Sequence, residues 1–598
     1  MRNTIVDMVF QNAERLTSQT AMNYFGATRW ERVSWAEYAD GIRKFGAALL
    51  ACGYEPGWGL AILGDNRPEW LISHLGGMAV RALPTGIYQT STADQIAYIL
   101  NHAEVRVVVV DSWSRWERIS EKRDVLPLLK LVVLLDAEGH DLDDDLLVSW
   151  DDFLAMAGPD NAAFETRFEA LDPEDLATLI YTSGTTGPPK GVMLSHQNLA
   201  WTSRQTRRAI GGEVSDEDCV VSYLPLSHIA EQMFSIYLAA AYGYPIWFSP
   251  SLEALKETLI AARPTLFLAV PRVWEKFKAA LESQLETLKG PKAKLVQWAR
   301  GVGEKTGNDL VVHGQPSGLA RIEFALAEKL FFKPLKAKLG LDAMKVAVTG
   351  AAPIGKEVLD FFLSCGIIIH EVYGQSEDSG PTSFNQPFPG ERRLGTVGRP
   401  FPGVDVRIAD DGEILVRGPN VFQGYYKDPD ATDQTLVDGW LHSGDIGEFD
   451  ADGFLRITDR KKDIIVTAGG KNVAPQNIEK LIRSIDGVSQ AVVVGDRRKY
   501  LSALITLCPD KAPHLPAAKS HTSLEETAAS KAFHNYMSAE IDARVNGELA
   551  RYEQIKTFRL IGADFSQENG ELTPTQKLKR NVIVKRHASL IDEMYPDA

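Results

Sequence analysis

The stretch Tyr181-Thr-Ser-Gly-Thr-Thr-Gly-Pro-Pro-Lys-Gly-Val-Met-Leu-Ser-His196 is the most informative part of the chain. Glycine has no side chain, so a glycine-rich loop can bring backbone N–H groups and neighbouring hydroxyls close to an anion. Apolar residues before the loop, Leu179-Ile180, and after it, Val192-Met-Leu, predict a connection between two strands. The pattern therefore favours polyphosphate binding. The residues expected to contribute are Thr182, Ser183, Gly184, Thr185, Thr186, Gly187, Lys190 and Gly191.

The P-loop is the nearest competing phosphate-binding motif, and its spacing differs. It needs a glycine, four residues and then Gly-Lys-Ser/Thr ahead of a helix. Counted from Gly184, Lys190 is in place, but Pro189 and Gly191 occupy the positions of the second glycine and of the Ser/Thr. Taken without the rest of the chain, the stretch also fits a flexible surface loop.

Length and composition describe a globular protein with several domains. The chain has 598 residues, of which 44% are hydrophobic and 24% charged, and it is too long for one compact core. Its formal net charge of −15 argues against a general nucleic-acid binder. An anionic substrate must therefore be met by local basic residues rather than by the overall field.

The cysteines and the apolar segments indicate the cellular compartment of the protein. Four cysteines, Cys52, Cys219, Cys365 and Cys508, are scattered without CxxC spacing, which favours a reducing compartment over a disulfide framework or a zinc site. The N-terminus lacks the apolar core of a signal peptide, and the apolar run 235–248 is too short to span a bilayer. We expect a cytoplasmic protein; peripheral membrane contact stays open, since a greasy substrate would favour it.

Alternating strand and helix patterns predict an α/β fold. Residues 105–110 are rich in valine, and 131–135 repeat the apolar pattern after a polar interval. Thr92 precedes apolar residues at helical spacing, as a capping residue does. Such alternation is typical of helices packed around a largely parallel sheet. The lysine-rich interval 276–321 is expected to form helices outside that sheet with solvated lysines, and 509–530 a loop.

Two further strands are expected to end in nucleotide-binding segments. Residues 346–349 run into the small-residue turn Gly350-Ala351-Ala352-Pro353, against which a flat ring can lie. Residues 367–372 run into Tyr373-Gly374-Gln375-Ser376-Glu377. Ligands of open α/β sheets bind beyond the carboxyl ends of strands. Each segment alone would be an ordinary turn, but together with the glycine-rich loop they predict a nucleotide pocket.

The block Asp438-Gly-Trp-Leu-His-Ser-Gly-Asp-Ile-Gly-Glu-Phe-Asp-Ala-Asp-Gly-Phe-Leu-Arg-Ile-Thr-Asp-Arg-Lys-Lys-Asp463 adds two candidates. Asp445 can accept hydrogen bonds from both hydroxyls of a ribose, and Arg460 can donate to the same sugar or to a phosphate. Asp452-Gly453 predicts a hairpin turn without a functional role.

These segments resemble the acyl-adenylate-forming superfamily, which includes acyl-CoA synthetases, luciferases and peptide-synthetase adenylation domains. The 438–463 block is similar to that of long-chain fatty acyl-CoA synthetases, with Ser443 and Phe449 where Thr and Trp are common. Residues 220–232, 274–276, 468–473 and 576–580 are most similar to the bubblegum type. The resemblance implies a large N-terminal domain of parallel and mixed sheets with flanking helices, residues 1–460. It also implies a smaller, mobile α+β domain, residues 461–598, hinged at Lys462.

The resemblance assigns roles within the nucleotide pocket. Thr182 to Gly187 and Lys190 would hold phosphates, Gly350, Ala351, Ala352, Tyr373 and Gly374 the adenine, and Asp445 the ribose, with Arg460 donating to the same sugar or to a phosphate. Ser376, where Thr is more common, would contact phosphate, and Glu377 would ligate Mg²⁺. A carboxylate suits that position because Mg²⁺ is usually held by one or two carboxylates together with substrate phosphates.

Four residues receive roles outside that pocket. His228 would line the acyl pocket, although a lone histidine beside an apolar run is more often a core residue. Gln232 stands where some long-chain members carry an aromatic gate, which puts that gate in doubt. Gly469 would let the pantetheine arm of CoA pass the backbone, and Lys577 would be the adenylation lysine, preceded by Gln576 where Gly is usual.

The implied reaction is a two-step ligation of a fatty acid to CoA, with ATP and Mg²⁺, through an acyl-AMP intermediate. The catalytic residues would be Thr182, Lys190, Glu377 and Lys577. Three alternatives remain open: a ligase that loads a carrier protein, a luciferase-like oxygenase, and a non-catalytic nucleotide- or lipid-binding protein.

Overall fold

The computed structural model describes residues 4–159, 162–182, 188–210, 214–469, 471–518, 523–573 and 577–596. The expected α/β organisation is confirmed: three sheets with flanking helices form a large N-terminal domain, and a smaller domain with its own apolar clusters follows. Among the predicted site residues, Ser183, Gly184, Thr185, Thr186 and Gly187 lie outside the described residues.

Eight strands of the described chain form the first sheet, which is parallel except at the end that carries the glycine-rich loop. The strand Val105–Val110 shows why its sequence is continuously apolar: Val107 and Val109 enter one apolar cluster, and Val108 and Val110 another. In sheet order the strands are Gly424–Tyr425, Lys190–Ser195, Leu176–Thr182, Leu83–Gly86, Gly59–Leu63, Val105–Val110, Leu131–Leu134 and Leu147–Ser149.

A second sheet contains nine of the described strands and is parallel at its centre, with antiparallel strands at both edges. Its two strands Val346–Thr349 and Ile369–Tyr373 are parallel neighbours, so their carboxyl ends lie side by side. In sheet order the strands are Arg399–Pro400, Ser383–Phe384, Ile369–Tyr373, Val346–Thr349, Leu266–Ala269, Val220–Ser222, Ile246–Phe248, Thr20–Phe25 and Trp30–Ser34.

The third sheet is antiparallel and carries the hairpin predicted at Asp452-Gly453. That hairpin brings Asp445 directly opposite Arg460 on the neighbouring strand. The described strands of this sheet are Asp405–Ile408, Glu413–Arg417, Trp440–Phe449, Leu436–Val437 and Leu455–Arg460.

The C-terminal domain is built on a three-stranded sheet over the described residues, Val488–Val494, Leu501–Leu507 and Ile555–Ile561, beside the small pair Ile465–Val466 and Asn472–Val473. The helix Lys531–Glu540 and the π turn Ile541–Val545 place an apolar stripe in the core, where Phe533, Met537, Ile541 and Val545 are buried. The predicted loop 509–530 is partly wrong, because Leu524–Ala529 is helical, with Ser523 accepting a hydrogen bond from the Glu526 N–H.

Helices cover the faces of the large sheets. The helix Ala93–His102 begins with the predicted Thr92 cap, whose side chain accepts from Gln95 N–H. The remaining described α-helices of the N-terminal domain are Ile5–Arg15, Trp35–Ala51, Pro68–Ala79, Trp113–Ser120, Trp150–Ala155, Ala162–Glu169, His196–Ala209, Ile229–Gln232, Leu238–Tyr242, Leu255–Ala262, Pro271–Glu286, Pro291–His313, Gly318–Ala327, Lys333–Lys338, Lys356–Ser364 and Pro429–Thr435. Those of the C-terminal domain are Pro475–Arg483, Leu524–Ala529, Lys531–Glu540, Arg580–Arg586 and Ala588–Glu593.

The interval between the strands Leu266–Ala269 and Val346–Thr349 forms the expected helices outside the sheet. Arg392 anchors this insertion: its guanidinium donates to the carbonyls of Leu310 and Val311 near the end of the long helix Pro291–His313. In the part of the chain that the structure describes, no helix combines the length and the hydropathy needed to cross a membrane.

Trp274 is the buried anchor of the helix Pro271–Glu286, where it packs edge-on against Phe267 and Phe362. We expect Trp274→Ala to lower the free energy of unfolding by ~3–5 kcal/mol, since the lost side chain leaves a cavity. Trp298→Ala, on the next helix and 37% exposed, is the control. Denaturant unfolding measures both, and equal losses would contradict this assignment of Trp274.

Candidate active site

A cavity of about 1900 Å³ opens where the three N-terminal sheets meet the C-terminal domain. It gathers residues that lie nearly 400 positions apart in the chain, from Thr182 to Lys577. The predicted site residues that line it are Thr182, Lys190, His228, Gly350, Ala351, Ala352, Gly374, Ser376, Glu377, Asp445, Arg460, Lys462 and Lys577. Tyr373 and Gly469 are absent from its described lining.

The floor of the cavity consists of the two neighbouring strand ends. Ala351 has a left-handed backbone with φ 69°, a conformation that is strained for a residue with a side chain and that often marks a functional site. Gly374 allows a close approach: a Cβ atom there would lie 1.5 Å from the carbonyl oxygen of Gly380. Both turns contribute to the cavity lining, through Gly350, Ala351 and Ala352 in the first and Gly374 in the second.

Several polar contacts of the cavity converge on Asp445. Its buried carboxylate accepts hydrogen bonds from the Tyr373 hydroxyl, at 2.9 Å, and from Gln375 Nε2, at 2.7 Å. Arg460 faces it across the hairpin, with Nε 3.2 Å from Oδ1. The charge of Asp445 is the largest influence that raises the pKa of Arg460. Asp445 thus joins the end of the second sheet to the end of the third.

Glu377 and Asp378 are adjacent carboxylic acids in different environments. Asp378 is buried, accepts from Gln375 N–H at 2.6 Å and from the Thr382 hydroxyl, and its burial raises its pKa well above the ordinary value. Glu377 instead lines the cavity and accepts from the Tyr425 hydroxyl at 2.8 Å. Glu377 is therefore the carboxylate of this pair that a ligand in the cavity can reach.

Tyr425 connects Glu377 to the strand after the glycine-rich loop. The Lys190 ammonium lies 4.7 Å from the centre of the Tyr425 ring and 4.0 Å from Asp428. Thr182 and Lys190 are opposite each other at the open ends of their antiparallel strands, as the sequence predicts. A cation, a hydroxyl and a carboxylate therefore surround the mouth of the predicted phosphate loop.

Lys577 reaches the cavity from the C-terminal domain, and its backbone is paired with Thr573. Its backbone N–H donates to the Thr573 hydroxyl at 2.9 Å, its carbonyl accepts from Thr573 N–H at 2.8 Å, and Leu572 bridges Leu578. Burial, followed by the charge of Arg460, lowers the pKa of Lys577 to about 8, while Asp445 and Glu377 act in the opposite direction. The lysine thus lies within electrostatic reach of three predicted site residues.

His228 lies on the apolar side of the same cavity. Burial, followed by the charge of Lys577, lowers its pKa to about 3, so the ring is neutral at physiological pH. Its Nδ1 accepts from Ala230 N–H at 3.2 Å, which leaves the proton on Nε2. The neighbouring wall is formed by Ile210, Leu224, Ile229, Met233 and Phe234.

Gln232 is fixed in the core and does not appear in the described lining of the cavity. Its side chain donates to the Leu226 carbonyl at 2.7 Å and accepts from the Tyr237 hydroxyl at 2.6 Å. Both ends of the amide are satisfied, so Gln232 has a structural role at the position where the sequence already put an aromatic gate in doubt.

The predicted hinge contains two exposed lysines. Lys462 is exposed and lines the cavity. Lys461 is also exposed and forms ion pairs with Asp411 at 2.7 Å and Glu413 at 2.8 Å. Gly469 is exposed on a turn, with its nearest neighbour 3.9 Å from a virtual Cβ. In this arrangement Lys577 lines the cavity and Gly469 does not.

Polar contacts that the sequence did not reveal join the two domains along the helix Pro271–Glu286. Arg272 pairs with Asp564 at 3.1 Å and donates to Ser489. Two further ion pairs, Glu275 with Arg483 at 3.5 Å and Glu282 with Lys511 at 3.1 Å, continue the contact. The sequence also indicated no role for Tyr425, or for Gln375 within its predicted nucleotide-binding segment, because a tyrosine or a glutamine carries no spacing signal until its carboxylate partner is located.

Comparisons with known proteins agree with this geometry. The chain matches the family of AMP-binding enzymes over residues 9–426 and the C-terminal domain of AMP-binding enzymes over residues 462–598. It therefore belongs to the AMP-binding enzyme family.

Individual relatives show which members of this family the chain resembles. The chain is 36% identical to the long-chain-fatty-acid–CoA ligase ACSBG2 of Xenopus laevis, over 95% of this chain and 80% of that protein. It is also 36% identical to the long-chain-fatty-acid–CoA ligase FadD15 of Mycobacterium bovis, over 95% of this chain and 92% of that protein. The predicted resemblance to long-chain fatty acyl-CoA synthetases, including the bubblegum type, is thereby confirmed.

The fold is also found in a solved structure, that of the anthranilate CoA ligase AuaEII in complex with anthranoyl-AMP. The TM-score is 0.71 with 18% identity, over 98% of this chain and 97% of that chain. The match confirms the fold class.

The pKa of Lys577 can be measured directly. We expect amine labelling of Lys577 in the free protein, followed by mass spectrometry, to rise with a midpoint near pH 8, because only the neutral amine reacts. An unperturbed lysine titrates at about 10.4. Arg460→Gln removes a repelling charge and should move the midpoint upward; a midpoint that stays fixed would contradict the proximity of the two cations.

Proposed function

We propose that this protein is an ATP-dependent long-chain fatty acid–CoA ligase that acts through an acyl-AMP intermediate. The observation that carries the proposal is the division of one cavity into two ends. Lys577, Arg460, Glu377 and Asp445 meet at the polar end, and an apolar wall next to His228 forms the other. The names of the ACSBG2 and FadD15 relatives support the same substrate class.

The first step would join the fatty carboxylate to the α-phosphorus of ATP. A carboxylate oxygen forms the new O–P bond while the bond to the pyrophosphate oxygen breaks, and pyrophosphate leaves with that electron pair. Both reactants are anions, so positioning and charge neutralisation supply most of the catalysis. Lys577 and Lys190 would neutralise charge, Thr182 would orient phosphate, and Asp445 would fix the ribose.

Mg²⁺ fits the donor set of the polar end. Glu377 faces the cavity beside the Tyr425 hydroxyl, and Mg²⁺ bound to ATP typically takes one or two protein carboxylates together with phosphate oxygens and water. Glu377 would hold the ion, which when bound would neutralise charge on the phosphates. Tyr425 would orient the Glu377 carboxylate through its hydrogen bond.

The second step would transfer the acyl group to CoA. The thiol sulfur forms a bond to the acyl carbon, the bond from that carbon to AMP breaks, AMP leaves with the electron pair, and the thiol proton is released to solvent. We propose that rotation about Lys462 withdraws Lys577 and brings Gly469 to the cavity, with residues 461–598 moving as the mobile domain. The exposure of Lys462 and the separation of Gly469 from the described cavity lining support this exchange.

The scattered free cysteines support a reducing, cytoplasmic location as part of the same proposal. His228, neutral and protonated on Nε2, would line the apolar side of the cavity, where the acyl chain would lie.

AMP release from ATP and Mg²⁺ tests this function across straight-chain acids from acetate to very long chains, each with and without CoA. We expect turnover that requires CoA and peaks with long acids, because each additional CH₂ group buried against the apolar wall makes the binding free energy more favourable. Acyl-adenylate that accumulates whether or not CoA is present would favour a carrier-protein ligase instead. Silence with every acid would contradict the proposal and favour a binding protein.

A further inference from the structure

The insertion between the second-sheet strands Leu266–Ala269 and Val346–Thr349 contains an unusual surface. We define the basic hairpin as residues 289–338, which include the helices Pro291–His313, Gly318–Ala327 and Lys333–Lys338. Among the described residues, six of the fifteen exposed large hydrophobic side chains lie within it: Trp298, Val312, Leu319, Ile322, Leu326 and Leu330. This concentration distinguishes the hairpin from the remaining described surface.

Four of these side chains form a stripe along one side of the helix Gly318–Ala327 and the π turn that follows it. Leu319 is 79% exposed, Ile322 67%, Leu326 50% and Leu330 46%. Residues spaced by three or four lie above one another on a helix. The opposite side of the segment is fixed in the protein, since Ala327, Phe331 and Phe332 are buried. The stripe is therefore held outward by a packed helix.

Cations accompany the stripe. The basic hairpin contains ten Lys and Arg residues and four Asp and Glu residues, for a local formal charge of +6 in a chain of −15. Two of the acidic residues are already paired, Glu323 with Lys305 and Glu328 with Lys336. Arg321, Lys329 and Lys333 are exposed. An anionic surface would therefore attract this face and repel much of the rest of the protein.

A groove next to the helix Gly318–Ala327 also combines apolar and charged side chains. It has a volume of about 480 Å³, and its described lining includes the apolar Leu310 and Phe324, the cations Arg321, Lys329 and Lys333, and the acidic Glu328. An exposed apolar face flanked by cations is the arrangement of helices that lie in the interface of an anionic bilayer. A partner that was only apolar would leave the cations without a counterpart.

We propose that the basic hairpin docks the protein onto an anionic lipid surface, with Leu319, Ile322, Leu326 and Leu330 in the acyl boundary and Arg321, Lys329 and Lys333 at the headgroups. Arg392 keeps the hairpin fixed to the domain through its hydrogen bonds to the end of the helix Pro291–His313. Binding to lipid is independent of the ligase reaction, so either proposal can fail without the other.

Co-sedimentation of the full chain with vesicles tests the docking surface. The vesicles are phosphatidylcholine alone, or phosphatidylcholine mixed with phosphatidylglycerol. We expect binding to the anionic mixture that weakens as salt is added, and little binding to phosphatidylcholine alone. Ile322→Ser with Leu326→Ser should reduce binding about tenfold or more, as should Arg321→Gln with Lys329→Gln. Circular dichroism and ATP turnover without vesicles check that each variant remains folded.

Matched controls change exposed residues outside the hairpin. Leu252→Ser with Ile260→Ser removes two similarly exposed apolar side chains, and Lys256→Gln with Lys531→Gln removes two exposed charges. These pairs should leave vesicle binding unchanged. Binding reduced equally by the controls, or a wild-type protein that binds neither vesicle, would overturn the proposal. A wild-type dimer that the hairpin variants convert to a monomer would assign the stripe to a second copy of the chain instead.

Discussion

The buried carboxylate of Asp445 is the contact on which the site depends. It receives hydrogen bonds from Tyr373 and Gln375, at the end of one sheet, and faces Arg460 across the hairpin of another. A buried charge is tolerated only when it is paired and hydrogen-bonded. Because Asp445 needs these partners, it holds the second and third sheets together at this point. The same contact positions the strand ends that form the floor of the cavity.

Charge also links the two domains. Lys577 loses hydration and experiences the repulsion of Arg460, and both effects lower its pKa. A bound polyphosphate would reverse that penalty, because its negative charge would favour the protonated amine. The ion pairs of Arg272, Glu275 and Glu282 with the C-terminal domain are partly exposed, and such pairs contribute little individually. Bound polyphosphate would therefore stabilise the closed arrangement of the two domains through Lys577. The weak ion pairs between the domains would allow that arrangement to reopen.

Much of this organisation could be predicted from the sequence, for identifiable reasons. The valine run 105–110, the Thr92 cap and the strands around the glycine-rich loop follow local rules, and the structure contains each of them. The contacts of Tyr425, Gln375 and Arg272 could not be predicted, since each acts through a partner that is distant in the chain. The helix Leu524–Ala529 was hidden by a composition typical of loops. The exposed stripe of the basic hairpin could be identified only from the solvent accessibility of its side chains, because its periodicity alone is typical of a helix that packs on a core.

The central claim is that the described arrangement, with Lys577 in the cavity and Gly469 outside it, is the one that activates the fatty acid. The most direct test measures the two half-reactions of Lys577→Ala separately. The account predicts that formation of acyl-AMP from ATP and a long-chain acid falls about 100-fold or more, while formation of acyl-CoA from supplied acyl-AMP is largely retained. Equal loss of both half-reactions would contradict the account, because Lys577 would then serve the site as a whole.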